Sequence, residues 1–270
     1  MAFAFLAKEK MRTYVYVDGF NLYYAIKNSG AKWLDLKTLA EQVVPAASVE
    51  KVRYFTARVS SLSDPGAPAR QQLYFKALES IPEVQIHYGT FLAKSKWCPV
   101  MLLPAADRLI TDMAGAAATL TSGDASIGLN AALPKSHAET LTLGHYGTKD
   151  NKKAAALPDA MKAKVFTMEE KGSDVNLAVH LLNDAWAGRF DAAIVISNDT
   201  DLEEPIRMVA QERKLPVYLL TPSTNRGASE KLKNVATFQR HIRQSHLNGS
   251  QFPDPVIDVN GNPIAKPATW

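Results

Sequence analysis

Four aspartates in this chain, Asp18, Asp174, Asp199 and Asp201, sit where a carboxylate could do chemistry. The clearest case is Ala-Ala-Ile-Val-Ile-Ser-Asn-Asp-Thr-Asp-Leu (192–202). Its short, β-branched apolar start reads as a buried strand. Asp199 and Asp201 fall just past the strand's carboxyl end, the edge at which open α/β sheets bind ligands. Residues 12–17 read as a second such strand, aromatic and β-branched, and it ends at Asp18. Gly19 permits a sharp turn there, and the Asn21 amide is placed to reach back toward Asp18. Asp174 follows a third predicted strand, 164–168, and falls in the first turn of a helix capped by Ser173. An aspartate in such a turn ordinarily caps a helix or is solvated. The repetition at three junctions is what points to a site. Carboxylates brought together repel, and burying them unpaired is costly. A divalent cation relieves both, and an all-oxygen set favours Mg²⁺ or Mn²⁺ over zinc.

These junctions converge only if a parallel sheet holds them. The reading along the chain supports one. Residues 34–44 carry Leu36, Leu39, Ala40 and Val43 on one helical face, 51–59 read as strand, 60–68 as a loop, 70–80 as helix and 84–92 as strand. That alternation argues for a three-layer α/β sandwich with a parallel sheet. A helix from residue 173 is expected to bury Val175, Ala178, Val179, Leu182 and Trp186. After Asp199, Thr200 with Glu203 forms a capping-box pattern, and Leu202, Ile206, Val209 and Ala210 repeat at helical spacing. Pro205 conflicts with a helix that begins at Thr200. Residues 215–220 read as the last clear strand, 221–227 as a loop, 229–233 as helix and 235–238 as a final short strand, followed by a basic stretch at 240–246. Residues 94–162 break the rhythm and read as one large insertion, partly helical around 105–120. Its Trp97, His137, His145, Lys152 and Lys153 are candidates to touch substrate. The organisation expected is an extension over 1–10, a domain over 11–245 and a tail over 246–270 that packs in extended form, being too apolar for disorder.

Composition narrows the class. Nearly half of the 270 residues are apolar, which permits a sizeable core, and the net charge of +4 permits a polyanionic partner without demanding one. No apolar run is long enough to span a membrane, so no membrane partner is expected. The N-terminus lacks the basic region of a signal peptide, and the single Cys98 excludes an internal disulfide; both point to the cytoplasm. There is no phosphate-loop lysine motif, no dinucleotide fingerprint and no Gly-x-Ser-x-Gly elbow.

Three ordered segments then resemble the signatures of NYN domains, a family of the PIN-like nuclease superfamily. They are Tyr-Val-Asp-Gly-Phe-Asn-Leu-Tyr-Tyr (16–24), Glu-Glu-Lys-Gly-Ser-Asp-Val-Asn-Leu-Ala (169–178) and Ser-Asn-Asp-Thr-Asp-Leu-Glu-Glu-Pro-Ile (197–206). The resemblance covers roughly 11–245 apart from the insertion. It implies a Rossmann-like α/β/α sandwich with a mainly parallel sheet, and an acidic, Mg²⁺-dependent centre that cleaves RNA. Carried over, Asp18, Asp174, Asp199 and Asp201 would bind metal, with Asn21 and Asn198 as polar partners; Asn198 stands where many relatives have glycine. The leading expectation is a Mg²⁺- or Mn²⁺-dependent endoribonuclease acting on single-stranded or structured RNA. Arg58, Lys171 and Arg226 would steer the backbone, and Tyr23, Tyr24 or Trp97 would stack a base. PIN-like domains often pair, so a homodimer is expected to be possible. Two alternatives stand beside this: a nucleic-acid- or protein-binding module without turnover, and an NADH-dependent enzyme acting on a small molecule.

Overall fold

The computed structural model describes residues 10–61, 64–99, 143–145, 161–222 and 229–270. Within these the chain divides into two compact units, one made of residues up to 91 together with 170–270, the other of 92–169. The first unit is built on six parallel strands. β1 (Met11–Asp18), β2 (Ala47–Thr56), β3 (Val84–Tyr88), β7 (Ala192–Ile196), β8 (Val217–Pro222) and β9 (Phe238–Ile242) lie in the order β3-β2-β1-β7-β8-β9. This is the doubly wound order, in which the chain reverses direction across the sheet between β1 and β7. The α/β sandwich with a parallel sheet is therefore present.

Alternation along the strands makes the two cores. Val15 and Val17 of β1 pack with Ile194 and Ile196 of β7 on one face, under α1 (Gly19–Ile26), α2 (Leu36–Val43) and α3 (Ala67–Glu79). Tyr16, Phe55, Val195 and Leu219 pack on the other face against α4 (Ser173–Trp186) and α5 (Glu203–Arg207). Asp18 is two residues past Tyr16, so it belongs to the α4 face. That alternation is why α4, and not α1, brings the next carboxylate to it.

Four expectations change. Residues 84–92 are not one strand: β3 stops at Tyr88, and Thr90 begins β4 (Thr90–Pro99) of a separate three-stranded sheet with β5 (Leu143–His145) and β6 (Met161–Lys171), in the order β4-β6-β5. The strand before Asp174 is part of β6 and so lies outside the parallel sheet; its propensity was read correctly, but propensity does not name a strand's partner. The final strand is shifted: Val235 closes α6 (Glu230–Val235) and the basic stretch supplies β9 and then α7 (Gln244–Gly249). The apolar face of α4 is also a different one. Leu177, Leu181, Asp184 and Ala185 are buried, whereas Val175, Val179 and Trp186 are exposed. The helix after Asp199 avoids the Pro205 conflict by beginning as a 3₁₀ turn (Thr200–Leu202), so that Pro205 falls in the first turn of α5, where its missing N–H is not needed. The tail docks on the body: Phe252 N–H donates to the Trp33 carbonyl at 2.9 Å, and the Trp270 ring lies 6.2 Å from that of Trp33.

Asp184 anchors α4 to the sheet. Its Oδ2 accepts from Tyr16 Oη at 2.8 Å and Arg53 Nε at 2.7 Å, and its Oδ1 from Arg53 Nη2 at 3.1 Å and Arg189 Nη1 at 2.6 Å. Arg53 Nη1 also reaches Gln85 Oε1 at 2.9 Å and His87 Nε2 at 3.2 Å. An arginine has only donors, so His87 Nε2 accepts and the ring is neutral. The His87 ring stacks on Phe55 and lies 4.3 Å from that of His180. Burial, then His180, Arg53 and Lys51, hold the His87 pKa down at about 4. The sign follows. The unfolded chain takes up this proton first, near the ordinary value of 6.5, so the contribution is complete above pH ~6.5 and lost as pH falls toward 4. Discounted for partial exposure, the loss expected is on the order of 1–2 kcal/mol. Melting temperatures between pH 7 and 4 should show it, with a shallower decline in His87→Phe.

Candidate metal centre

The carboxyl edge of the sheet gathers three aspartates at the point where the strand order reverses. Asp18, Asp174 and Asp199 each offer one oxygen, all within 4.8 Å of one another. Asp18 ends β1 and is 4% exposed. Its Oδ1 accepts from Asn21 N–H at 2.9 Å, which caps α1, and its Oδ2 from Ser197 Oγ at 2.9 Å. Gly19 is required beside it, because a Cβ there would lie 2.7 Å from the Phe55 carbonyl oxygen. Asp199 N–H donates to the same Ser197 Oγ at 3.0 Å. The Ser197 hydroxyl therefore ties two of the three carboxylate residues together. Asp199 in turn caps the 3₁₀ turn, its Oδ1 accepting from Asp201 N–H at 3.0 Å.

Asp174 arrives from α4. Gly172 precedes that helix at φ 97°, a conformation that any side chain would strain. In the first helical turn the Asp174 carboxylate gains from the helix dipole. Even so, burial and the neighbouring Asp18, Asp199, Glu170 and Asp201 push it up to about 6. Burial pushes Asp18 up as well; its hydrogen bonds from Asn21 and Ser197 oppose this, and Asp199 and Glu170 add to it. The site thus holds more negative charge than its own residues neutralise.

The remaining sequence candidates divide. Asp201 is exposed and is not one of the three clustered carboxylates. Asn21 and Asn198 brace the loops: Asn198 N–H donates to Asn21 Oδ1 at 3.1 Å, and Ser229 N–H donates to Asn198 Oδ1 at 2.8 Å. Arg58 follows β2, donates to Gln72 Oε1 at 3.1 Å and lies 4.9 Å from the Tyr88 ring centroid. Lys171 is exposed at the end of β6. Arg226, His137, Lys152 and Lys153 lie outside the described residues, as does the side chain of His145, and Trp97 is exposed on β4. Two contributors were not read from the sequence. Ser197 looks like an unremarkable strand end, and Glu170, whose Oε1 accepts from Ser173 N–H at 3.1 Å, looks like a surface charge.

Part of the chain is similar to a known domain family. Residues 135–242 match the family model of the NYN domain. The NYN match contains the Asp174 and Asp199 segments and ends at Ile242, the last residue of β9; the Asp18 segment lies N-terminal to it. Over 280 aligned residues the chain is 27% identical to 6-hydroxy-3-succinoylpyridine 3-monooxygenase HspA of Pseudomonas putida, with 98% of this chain and 77% of that protein covered. A crystal structure of a protein of unknown function from Vibrio parahaemolyticus is also similar, at 13% identity and a TM-score of 0.45, covering 87% of this chain and 94% of that one.

Because the three clustered carboxylates repel, removing one charge should stabilise the metal-free protein. The folded Asp174 holds its proton to about 6, against an ordinary 3.8, so its deprotonation costs stability as pH rises through that window. At pH 7.5, after discounting for partial exposure, Asp174→Asn should add about 1 kcal/mol in EDTA, and Mn²⁺ should raise the melting temperature of the parent more than that of the variant. Paired melting curves with EDTA and with Mn²⁺ check both halves.

Proposed function

We propose that this protein is a divalent-metal-dependent hydrolase that cleaves phosphodiester bonds in RNA, with Asp18, Asp174 and Asp199 holding Mg²⁺ or Mn²⁺. The observation that carries the reading is the convergence of the three carboxylates within 4.8 Å at the sheet's reversal point. The donor set fits such an ion. It is all oxygen, as Mg²⁺ and Mn²⁺ prefer, and its surplus charge is what a dication would offset. When bound, such an ion lowers the pKa of water and withdraws charge from phosphoryl oxygens.

The chain's own residues do the positioning. Ser197 fixes Asp18 relative to Asp199 through two hydrogen bonds, and Asp18 itself caps α1 by accepting from Asn21 N–H. Asn198 links the start of α6 to α1, its N–H donating to Asn21 Oδ1 and its Oδ1 accepting from Ser229 N–H. Asp201, at the rim, is assigned an outer role toward water or metal rather than a place in the triad. Lys171 and Arg58 are assigned to the phosphate backbone.

A second reading has a specific observation behind it, the near-complete alignment with a monooxygenase. On that reading the same carboxylates would serve an oxygenase acting on a hydroxypyridine acid. One experiment separates the two. Labelled single-stranded RNA is incubated with protein in Mg²⁺, Mn²⁺ or EDTA, and in parallel 6-hydroxy-3-succinoylpyridine is supplied with NADH and O₂. RNA cleavage in metal and none in EDTA supports the hydrolase. NADH consumption that depends on the pyridine, without RNA cleavage, replaces it with the oxygenase. RNA binding without either reaction leaves a binding module.

A further inference from the structure

Helix α1 carries an aromatic strip away from the metal centre. Phe20, Tyr23, Tyr24 and Lys27 fall at i, i+3, i+4 and i+7 and so share one side of the helix, while Leu22 and Ile26 are buried in the core. Phe20, two residues past Asp18, packs edge-on against Phe91 with ring centroids 5.6 Å apart. Tyr23 and Tyr24 lie one turn further, about 7.5–9 Å along the axis from Asp18. They are 41% and 63% exposed, and their rings meet edge-to-face at 5.6 Å. Lys27 Nζ stands 5.5 Å from the Tyr24 ring centroid.

We propose that this strip is a stacking platform for the bases of single-stranded nucleic acid, so that the strand entering the metal centre is unpaired. The proposal rests on the hydrolase reading and adds the substrate class to it. Two partly exposed aromatic side chains beside a cation match what single-strand binders use: bases stack on the aromatics and a phosphate meets the lysine. A duplex offers these rings nothing, because its bases are already stacked on one another. A second copy of the chain is a poorer occupant. The exposed parts of the two tyrosines sum to about one aromatic side chain, roughly 200 Å², against the roughly 800 Å² per partner of a stable interface.

The test uses the full chain carrying Asp199→Asn, so that RNA is held uncut, and a fluorescein-labelled 15-nucleotide oligouridine read by anisotropy. In that background Tyr23→Ala/Tyr24→Ala should weaken binding roughly tenfold or more. Tyr23→Phe/Tyr24→Phe, which keeps the rings, should stay within about twofold of the parent. Equal affinity of parent and alanine pair overturns the platform, as does a phenylalanine pair as weak as the alanine pair, or a parent that does not bind. A parent dimer in sedimentation that the alanine pair converts to monomer also overturns it, in favour of a self-association face. Cleavage by the unsubstituted chain in Mn²⁺ is scored separately. Tyrosine-dependent binding without cleavage keeps the platform and removes the hydrolase, and cleavage without tyrosine dependence does the reverse.

Discussion

Asp199→Asn should lower metal-dependent RNA cleavage by at least about 10²–10³-fold, the scale at which one preorganised charge-stabilising group is lost. The substitution is a clean one. Asp199 is only half-buried, and its structural duties are to cap the 3₁₀ turn through Oδ1 and to donate its backbone N–H to Ser197. Asparagine is as good a cap and leaves the backbone donor in place, so the fold is kept. What is lost is one charge of the triad. The melting temperature rise on adding Mn²⁺ should shrink with it, since stabilisation by a ligand scales with its affinity, about 2.7 kcal/mol at a hundredfold excess over Kd. Asp201→Asn is the control. Asp201 is exposed and outside the triad, so its loss should cost about tenfold or less, through charge and solvent alone. Equal effects of the two substitutions would mean that the triad is not the centre of the chemistry.

The parts of this architecture that were legible in the sequence are those in which local chemistry and fold agree. A five-residue apolar run ending in Ser-Asn-Asp gives β7 with the bounds that the structure shows, while the cap of the following turn is Asp199 and not the Thr200 of the capping-box pattern. Asp18 and Asp174 were readable because each closes a unit of strand and helix. What failed has physical causes. Residues 164–168 have strand propensity, but the partner of a strand is set by tertiary pairing, and β6 pairs with β5 in a separate sheet. Val235 is β-branched yet ends a helix, because burial outweighs a few tenths of a kcal/mol of propensity. Ser197 was invisible for another reason. A hydroxyl becomes part of a site only when two chain segments place an acceptor and a donor on it, and neither segment is local. The α4 error is the most instructive. Val175, Val179 and Trp186 give one apolar stripe, and Leu177, Leu181 and Ala185 give another that Asp184 interrupts. A charge in mid-stripe argues for solvent until its partners are known, and those lie on β1, on β2 and beyond the helix end.

Those partners make Asp184→Ala the substitution with the largest expected cost in stability. Asp184 is 0% and Arg53 7% exposed. Burial alone would push the Asp184 carboxyl up, but hydrogen bonds from Arg53, Arg189 and Tyr16 hold it below the ordinary carboxylate range, so the charged form is the native one. Removing it leaves the Arg53 guanidinium buried with Gln85 and a neutral His87 as its remaining polar neighbours. Breaking a buried pair from one side costs about 3–5 kcal/mol, most of it the stranded charge. For a chain of this size that corresponds to a fall of roughly 10 °C or more in Tm. Tyr16→Phe removes one of the four hydrogen bonds and leaves the ion pair, so about 1 kcal/mol is expected. Asp184→Leu/Arg53→Met removes both charges together and should recover much of the loss, because the cost lies in the unpaired ion and not in the absence of the bridge. The set also reports on the site, since α4 carries Asp174 at its first turn and Asp184 near its last. If the anchor sets the helix, the double variant should regain the Mn²⁺-induced rise in Tm along with its stability. Stability recovered without that rise would mean that Asp184 and Arg53 hold α4 in register for the metal centre, a role that packing of similar volume does not replace.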